Sequence, residues 1–359
     1  MSGAWPARVA ALRRDALVFF ILLSAVVTPA VVTPAAARDL TLAAPDEPLV
    51  AQLAKNYVAA FAQQSGIAMV EAPFDGSIEA ITLAAGAHTP WDIVLLAAPV
   101  LREGCARGLL QKLDWNAIGG RERYLPEAVS ECGVGAFLKT MVLSWDNDKI
   151  QGAPSWADFW DVAKYPGKRG LRRDPRMTLE FALLADGVAP GDVYATLRTS
   201  EGLKRAFRKL DQLRPYLVWW QKDDEAARQL GEGKVLMTMA PSEEIVAADR
   251  DGAHHFGMQW NGSLYRIKSF ALIAGTPLLD PTRKFLAFIG DPALEARLMT
   301  DLAFGPLAKG ASALLPPPLR ALSPSSPGNL KDALPFDEGF WEENEAALRQ
   351  RFDAWLAQH

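Results

Sequence analysis

The chain has 359 residues, half of them hydrophobic, with 27 Gly, 25 Pro and a formal net charge of −4. That length builds one large or two medium domains with real cores. The mild acidity and the lack of any long basic run exclude nucleic acid as a natural partner.

The first segment carries Arg8, Arg13 and Arg14 ahead of the apolar run ALVFFILLSAVV, and PAAA closes it before Arg38. A positive start, about a dozen apolar residues and a small-residue end read as a secretory signal peptide over residues 1–37, which sends the protein to the periplasm. An uncleaved membrane anchor is the alternative. The run is short of the ~20 residues that span a bilayer, and Pro29 and Pro34 interrupt its continuation. In an oxidising compartment the only two cysteines, Cys105 and Cys132, suggest a disulfide, with two buried free thiols as the other option.

Past Arg38, short apolar runs alternate with amphipathic stretches. DLTLAAP reads as a strand. LVAQLAKNYVAAFAQQSG follows as a helix, with Leu49, Leu53, Tyr57, Val58 and Phe61 on one face and a glycine stop. IAMVEAP is the next strand, SIEAITLAAGA a helix and WDIVLLAAP a third strand. Repeated strand–helix units imply a parallel sheet with helices on both faces. KTMVLSWDNDKI then reads as a strand ending in a polar turn, and Ser155 with Asp158 comes close to a capping box. Mixed helix and strand signals run on to Gly252. NGSLYRIKSFALIAG, Asn261 to Gly275, opens on an Asn-Gly turn signal and becomes a strand with Arg266 and Lys268 on one face. Two helices, a Pro/Ser-rich passage from Leu314 to Pro327 and a final amphipathic helix complete the chain.

Chemical motifs are scarce. The chain has no Walker loop, no GxGxxG, GxSxG or HExxH, and no CxxC, so neither a cofactor nor a metal is expected. His88, His254 and His255 read as loop residues. Asp174 with Glu180, and the run Asp223-Asp224-Glu225, are acid clusters that helix starts explain without catalysis. No catalytic residue is assigned. An exported α/β chain with eleven Trp and glycine-marked strand ends suits binding of a small molecule in a crevice at the carboxyl ends of the strands.

Several blocks carry a resemblance: RGLLQKLDW (Arg107–Trp115), AVSECGVG (Ala128–Gly135), SWADFWDVAKYPGKRGLRR (Ser155–Arg173), TLEFALLADGV (Thr178–Val188), LVWWQ (Leu217–Gln221), EGKVLMTMA (Glu232–Ala240) and ALPFDEGFWEENEAALRQRFDAWL (Ala333–Leu356). In this order they resemble the polyamine-type (spermidine/putrescine) family of periplasmic substrate-binding proteins of bacterial ABC transporters. The Ser155–Arg173 block is the most specific. The resemblance implies an α/β, two-lobed periplasmic-binding-protein fold of type II, each lobe a mainly parallel sheet flanked by helices. Residues 38–143 plus 268–359 would form the first lobe and residues 144–267 the second. Such a protein performs no chemistry. It works as a monomer, closes its hinge on a small-molecule ligand and delivers it to a membrane permease and ATPase.

The chain departs from that family where the ligand would sit. Relatives carry acidic and aromatic residues in the segment matching Tyr265–Phe270, whereas this chain has Arg266 and Lys268. A second clamp position is Met177, although Asp174 remains, and the N-terminal ligand loop reads APDEPL and offers Asp46. A diammonium ligand facing such a cation at about 4 Å would lose on the order of 4 kcal/mol at an effective dielectric near 20, about three decades of affinity. Arg266 and Lys268 therefore point to a ligand with a carboxylate or phosphonate group. Pairing of both cations with Asp223, Asp224, Glu243 or Glu244, and simple exposure to solvent, are the competing readings. Further candidates are Gly76 and Ser77 at a helix start, Thr140 beside Lys139, and one of Trp219 and Trp220 as a stacking face. A secreted hydrolase-like enzyme and a sensor-linked binding domain on the same scaffold remain the rival functions.

Overall fold

The structure is a computed structural model that describes residues 38–85, 90–250 and 252–358. The expected signal peptide, 1–37, and His88 lie outside the described residues. Nine strands form one sheet: β1 Leu40–Pro45, β2 Met69–Phe74, β3 Ile93–Ala97, β4 Gly133–Asp146, β5 Arg169–Arg172, β6 Leu217–Trp220, β7 Met237–Pro241, β8 Phe256–Leu272 and β9 Leu334–Pro335. Their order is β2-β1-β3-β8-β4-β7-β5-β6, with β9 beside β8.

Two parallel sets lie at either end, β2-β1-β3 and β7-β5-β6. Between them run β4 and β8, antiparallel to each other and long enough to serve both ends. The end of β8 from Lys268 to Leu272 pairs with β3 of the first set, the stretch of β4 from Met141 to Trp145 pairs with β7 of the second, and the two long strands pair with each other along their length. Two lobes joined through these two strands follow from that pairing.

Each parallel set is buried. Alternation along β1 sends Leu40, Leu42 and Ala44 into one apolar cluster and Ala43 into another, on the opposite face. The helix Pro48–Ser65 covers the first face with Val50, Leu53, Tyr57, Val58 and Phe61, close to the stripe expected from spacing. It starts with proline at its first position and stops at Gly66, whose φ of 69° suits a glycine cap. Cys105 and Cys132 are joined in a disulfide with Cα atoms 5.7 Å apart. Closing that loop stabilises the first lobe by roughly 3–4 kcal/mol in the chain-entropy account.

The second core gathers Met141 to Phe256 around Phe181, Trp156 and Leu210. Ser155 forms the full capping box: its side chain accepts from the Asp158 N–H and Asp158 accepts from the Ser155 N–H. Arg169 is fully buried and donates to the carbonyls of Phe159, Gly167 and Tyr165, so it ties down the turn preceding β5.

Two expectations change. The Asn261-Gly262 pair makes no hairpin turn; it lies within β8, where Gln259 pairs with Leu143 and Leu264 with Met141. The surplus residues form an irregularity in a continuous strand, and Gly262 supplies the positive φ of 70° that it needs. Residues 268–359 also do not stay together. Phe270, Phe285 and Phe304 pack in the first core, whereas Leu334, Phe340, Trp341, Leu348, Phe352 and Trp355 pack in the second. The C-terminal helix, Glu338–Leu356, lays its apolar face on the second core, where Phe352 and Trp355 meet Trp219 of β6.

Candidate functional site

The carboxyl ends of the parallel strands converge on the middle of β4 and β8. Lys139 on β4 is paired in register with Arg266 on β8, so both side chains leave the same face. Two cations directly opposite each other repel, and acids from several segments compensate them. Glu47 follows β1, Arg172 ends β5, Asp223 follows β6 and Glu243 follows β7.

Lys139 is the centre of this cluster. Its Nζ lies 3.1 Å from Glu243, 3.6 Å from Asp223 and 3.8 Å from Glu47. Burial works against its charge, but Glu243, Asp223 and Glu47 outweigh it and hold the ammonium well above its ordinary pKa. Glu243 is 1% exposed; burial pushes its carboxyl up, and Lys139 opposes that shift. Glu244 is pushed to about 7 by burial, reinforced by Glu243 and Asp223.

Arg266 and Lys268 are both paired internally. Arg266 makes a two-pronged bond to Glu338, 2.7 and 2.8 Å, with its guanidinium 4.4 Å from the Phe336 ring centroid. Lys268 donates to Glu47. Burial lowers the Lys268 pKa more than Glu47 restores it, while Glu47, despite its own burial, is held down by Lys268 and Lys139. Pairing was one of the sequence readings, beside ligand contact and solvent exposure, but the acids are Glu338 and Glu47, distant in sequence, instead of the four named there.

The other candidates fall into separate places. Asp46 is exposed, and its neighbour Glu47 makes the ion pairs. Thr140 and Tyr265 are a register pair one residue along each strand, so they leave the opposite face from Lys139 and Arg266. Ser77 caps its helix by accepting from the Ala80 N–H, and its hydroxyl donates to Asp75. Gly76 provides the turn with φ 80°. An anion there would meet Asp75 already in place. Asp174 caps the helix Pro175–Ala185, accepts two bonds from Arg176 and pairs with Arg349. Trp219 packs edge-on against Phe352 and Trp355. Trp220 is fully buried, and the Arg172 guanidinium lies 5.6 Å from its ring centroid.

Arg172 is the least engaged cation of the cluster, with Asp223 at 3.9 Å as its ion-pair partner. Beside it lies a hollow of about 330 Å³ lined by Arg172, Arg173, Asp174, Gln221 and Asp353. A larger hollow of about 450 Å³, between Arg121 and Lys309, contains none of the cluster residues. Among the described residues no group of His, Cys, Asp and Glu is arranged to hold a metal. The Asp174–Glu180 pair also dissolves: Glu180 is buried and accepts from Trp341 and Tyr194.

Two lobes bridged by shared strands, with charged side chains gathered where the strand ends meet, define a two-lobed periplasmic-binding-protein fold. The chain belongs to the bacterial extracellular solute-binding protein family, whose sequence profile matches residues 56–321. It is 38% identical over 303 residues to the gamma-aminobutyric acid-binding protein of Pseudomonas aeruginosa, covering 84% of this chain and 86% of that one. Among solved structures it resembles a GABA receptor with TM-score 0.75 and 25% identity, over 90% of this chain and 98% of that one. The spermidine/putrescine substrate-binding protein PotD of Streptococcus pneumoniae shares the fold, with TM-score 0.74 at 17% identity over 89% and 99%.

Glu47, Glu338 and Arg172 were not singled out from sequence. Glu47 had a signal, as the second acid of a strand-end loop. Glu338 had none, because a tail helix gives no sign of reaching a hinge strand 72 residues away.

Proposed function

We propose that this chain is the periplasmic binding component of an ABC importer and captures a small ω-amino acid of the γ-aminobutyrate class. One observation carries the reading: the hinge cluster alternates acids and bases, Glu47, Lys139, Asp223 and Arg172, within ion-pair distance of one another. A zwitterion matches such a surface, whereas a diammonium or a dicarboxylate leaves half of it uncompensated. Arg172, seated on Trp220 and weakly paired, is best placed to take the ligand carboxylate through its planar fork. Asp223 and Glu47 are then left to receive the ammonium. Arg266 and Lys268, which are bound more tightly by Glu338 and Glu47, position the cluster.

The polyamine alternative is weaker on physical grounds. A diammonium would put its second ammonium where the carboxylate belongs, against Arg172, and such a like-charge pair at about 4 Å would lose on the order of 4 kcal/mol, about three decades of affinity. The 38% identical relative is a gamma-aminobutyric acid-binding protein, which supports the same ligand class. Closure of the lobes would bury the ligand, and the closed form would dock on a permease coupled to an ATPase.

Calorimetric titration tests this. γ-Aminobutyrate is expected to bind more tightly than putrescine, spermidine or succinate. Arg172→Ala should weaken it by about tenfold or more, the range for losing one charge-assisted contact. Tighter binding of putrescine than of γ-aminobutyrate would overturn the reading.

A further inference from the structure

The position of Lys139 is that of a bound alkylammonium. Three carboxylates from three separate segments surround its Nζ, and the Phe304 ring lies beneath it, 5.9 Å to the centroid. Glu243 is almost fully buried, and Lys139 is the cation within ion-pair distance of it. Apart from the Lys139 ammonium, neither Glu243 oxygen has a hydrogen-bond partner among the described residues. A buried carboxylate needs a counter-charge, and here the protein supplies one from its own hinge strand. Acids gathered over an aromatic ring form the environment that selects an organic cation.

We propose that Lys139 is a specificity-determining residue: its side chain fills, as a tethered ammonium, a subsite that would otherwise take the amino group of a diammonium ligand. The inference rests on the preceding reading for the place of the cleft and goes beyond it in naming what the cleft refuses. The strand places the Lys139 backbone beneath the acids, and the butyl stem carries the charge to them. Truncation at Cβ would open a space shaped for propylammonium, lined by the same three acids. A free diamine could then place one end there and its other end toward the acids near Arg172. Filling the space with an uncharged side chain of similar length would block it again.

Chemical rescue tests this in the mature protein. Thermal unfolding is followed for the wild type, Lys139→Ala, Lys139→Met and the double variant Lys139→Ala/Glu243→Gln. Each is measured with propylammonium, with putrescine and with tetraethylammonium at matched ionic strength. Lys139→Ala is expected to melt below the wild type and to recover selectively with propylammonium and putrescine. It should also gain at least about tenfold in putrescine affinity, the scale on which one built-in repulsion separates ligands. Lys139→Met and the double variant should show no selective recovery. If the single variant folds only when the amine is present during refolding, that also supports the proposal. A shift in Lys139→Ala no larger than in the wild type overturns it. So does a single variant that stays insoluble with amine while the double variant folds. The wild-type titration with γ-aminobutyrate reports on the ligand class separately, so the two failures are distinguishable.

Discussion

At the scale of single residues, several acids sit where burial dominates their chemistry. Glu180 is fully buried, accepts from the Trp341 indole and the Tyr194 hydroxyl, and has its carboxyl pushed from about 4.5 to about 7 by burial. A carboxyl whose folded value is raised favours the fold when protonated. That stabilisation is complete below about pH 4.5 and is lost as the pH rises through 7. Between pH 5.5 and 8 the group should therefore cost roughly 2 kcal/mol of stability. Glu295, pushed to about 8 by burial although it accepts from Leu307 and Ala308, acts in the same direction. Urea unfolding at the two pH values should show the wild type weaker at pH 8. In Glu180→Gln, which keeps an acceptor oxygen for Trp341, the difference should shrink. An unchanged pH dependence would assign the effect elsewhere.

At the scale of elements, the C-terminal helix has two roles. Its apolar face completes the second core, and its first turn holds Glu338 against Arg266 on the hinge strand. Arg102 of the first lobe reaches the same helix through Glu342. The helix thus couples the packing of one lobe to charges at the hinge. Leu348 is buried on its inner face, so Leu348→Ala should cost about 3 kcal/mol, the middle of the range for a buried leucine. Leu83 is 83% exposed, and its replacement by Ala should stay within about 0.5 kcal/mol. Urea midpoints of the two variants check the contrast. The block Ser155–Arg173, which carried the resemblance best, is structural over most of its length, where its capping box and the buried Arg169 shape a turn, and reaches the charged cluster only at its end, through Arg172.

At the scale of the whole molecule, β4 and β8 connect the lobes and carry Lys139, Arg266 and Lys268 at their centre. Glu47 comes from the first lobe, and Asp223 and Glu243 from the second. All three meet Lys139 on a strand that both lobes share. Ligand binding between these groups should draw the lobes together. Small-angle X-ray scattering should show a smaller radius of gyration with saturating γ-aminobutyrate than without it. An unchanged radius with proven binding would rule out closure on this ligand.

What the sequence determined by itself was the local order: alternating strands and amphipathic helices, the Gly66 stop, the Ser155 cap and the pairing of two lone cysteines. Period, capping and composition are short-range signals, and they were legible. The paired cations of β8 were visible too, and their need for acids followed from electrostatics. Only the tertiary structure decided which acids answered. Glu47 lies 221 residues from Lys268 and Glu338 lies 72 from Arg266. Ion pairing depends on distance in space, which chain separation does not encode. The same holds for the tail helix, whose apolar face was plain in the sequence but whose place in the second core was not. The strand register then put Lys139 and Arg266 on one face and Thr140 and Tyr265 on the other, and so determined which residues share the face of the candidate site.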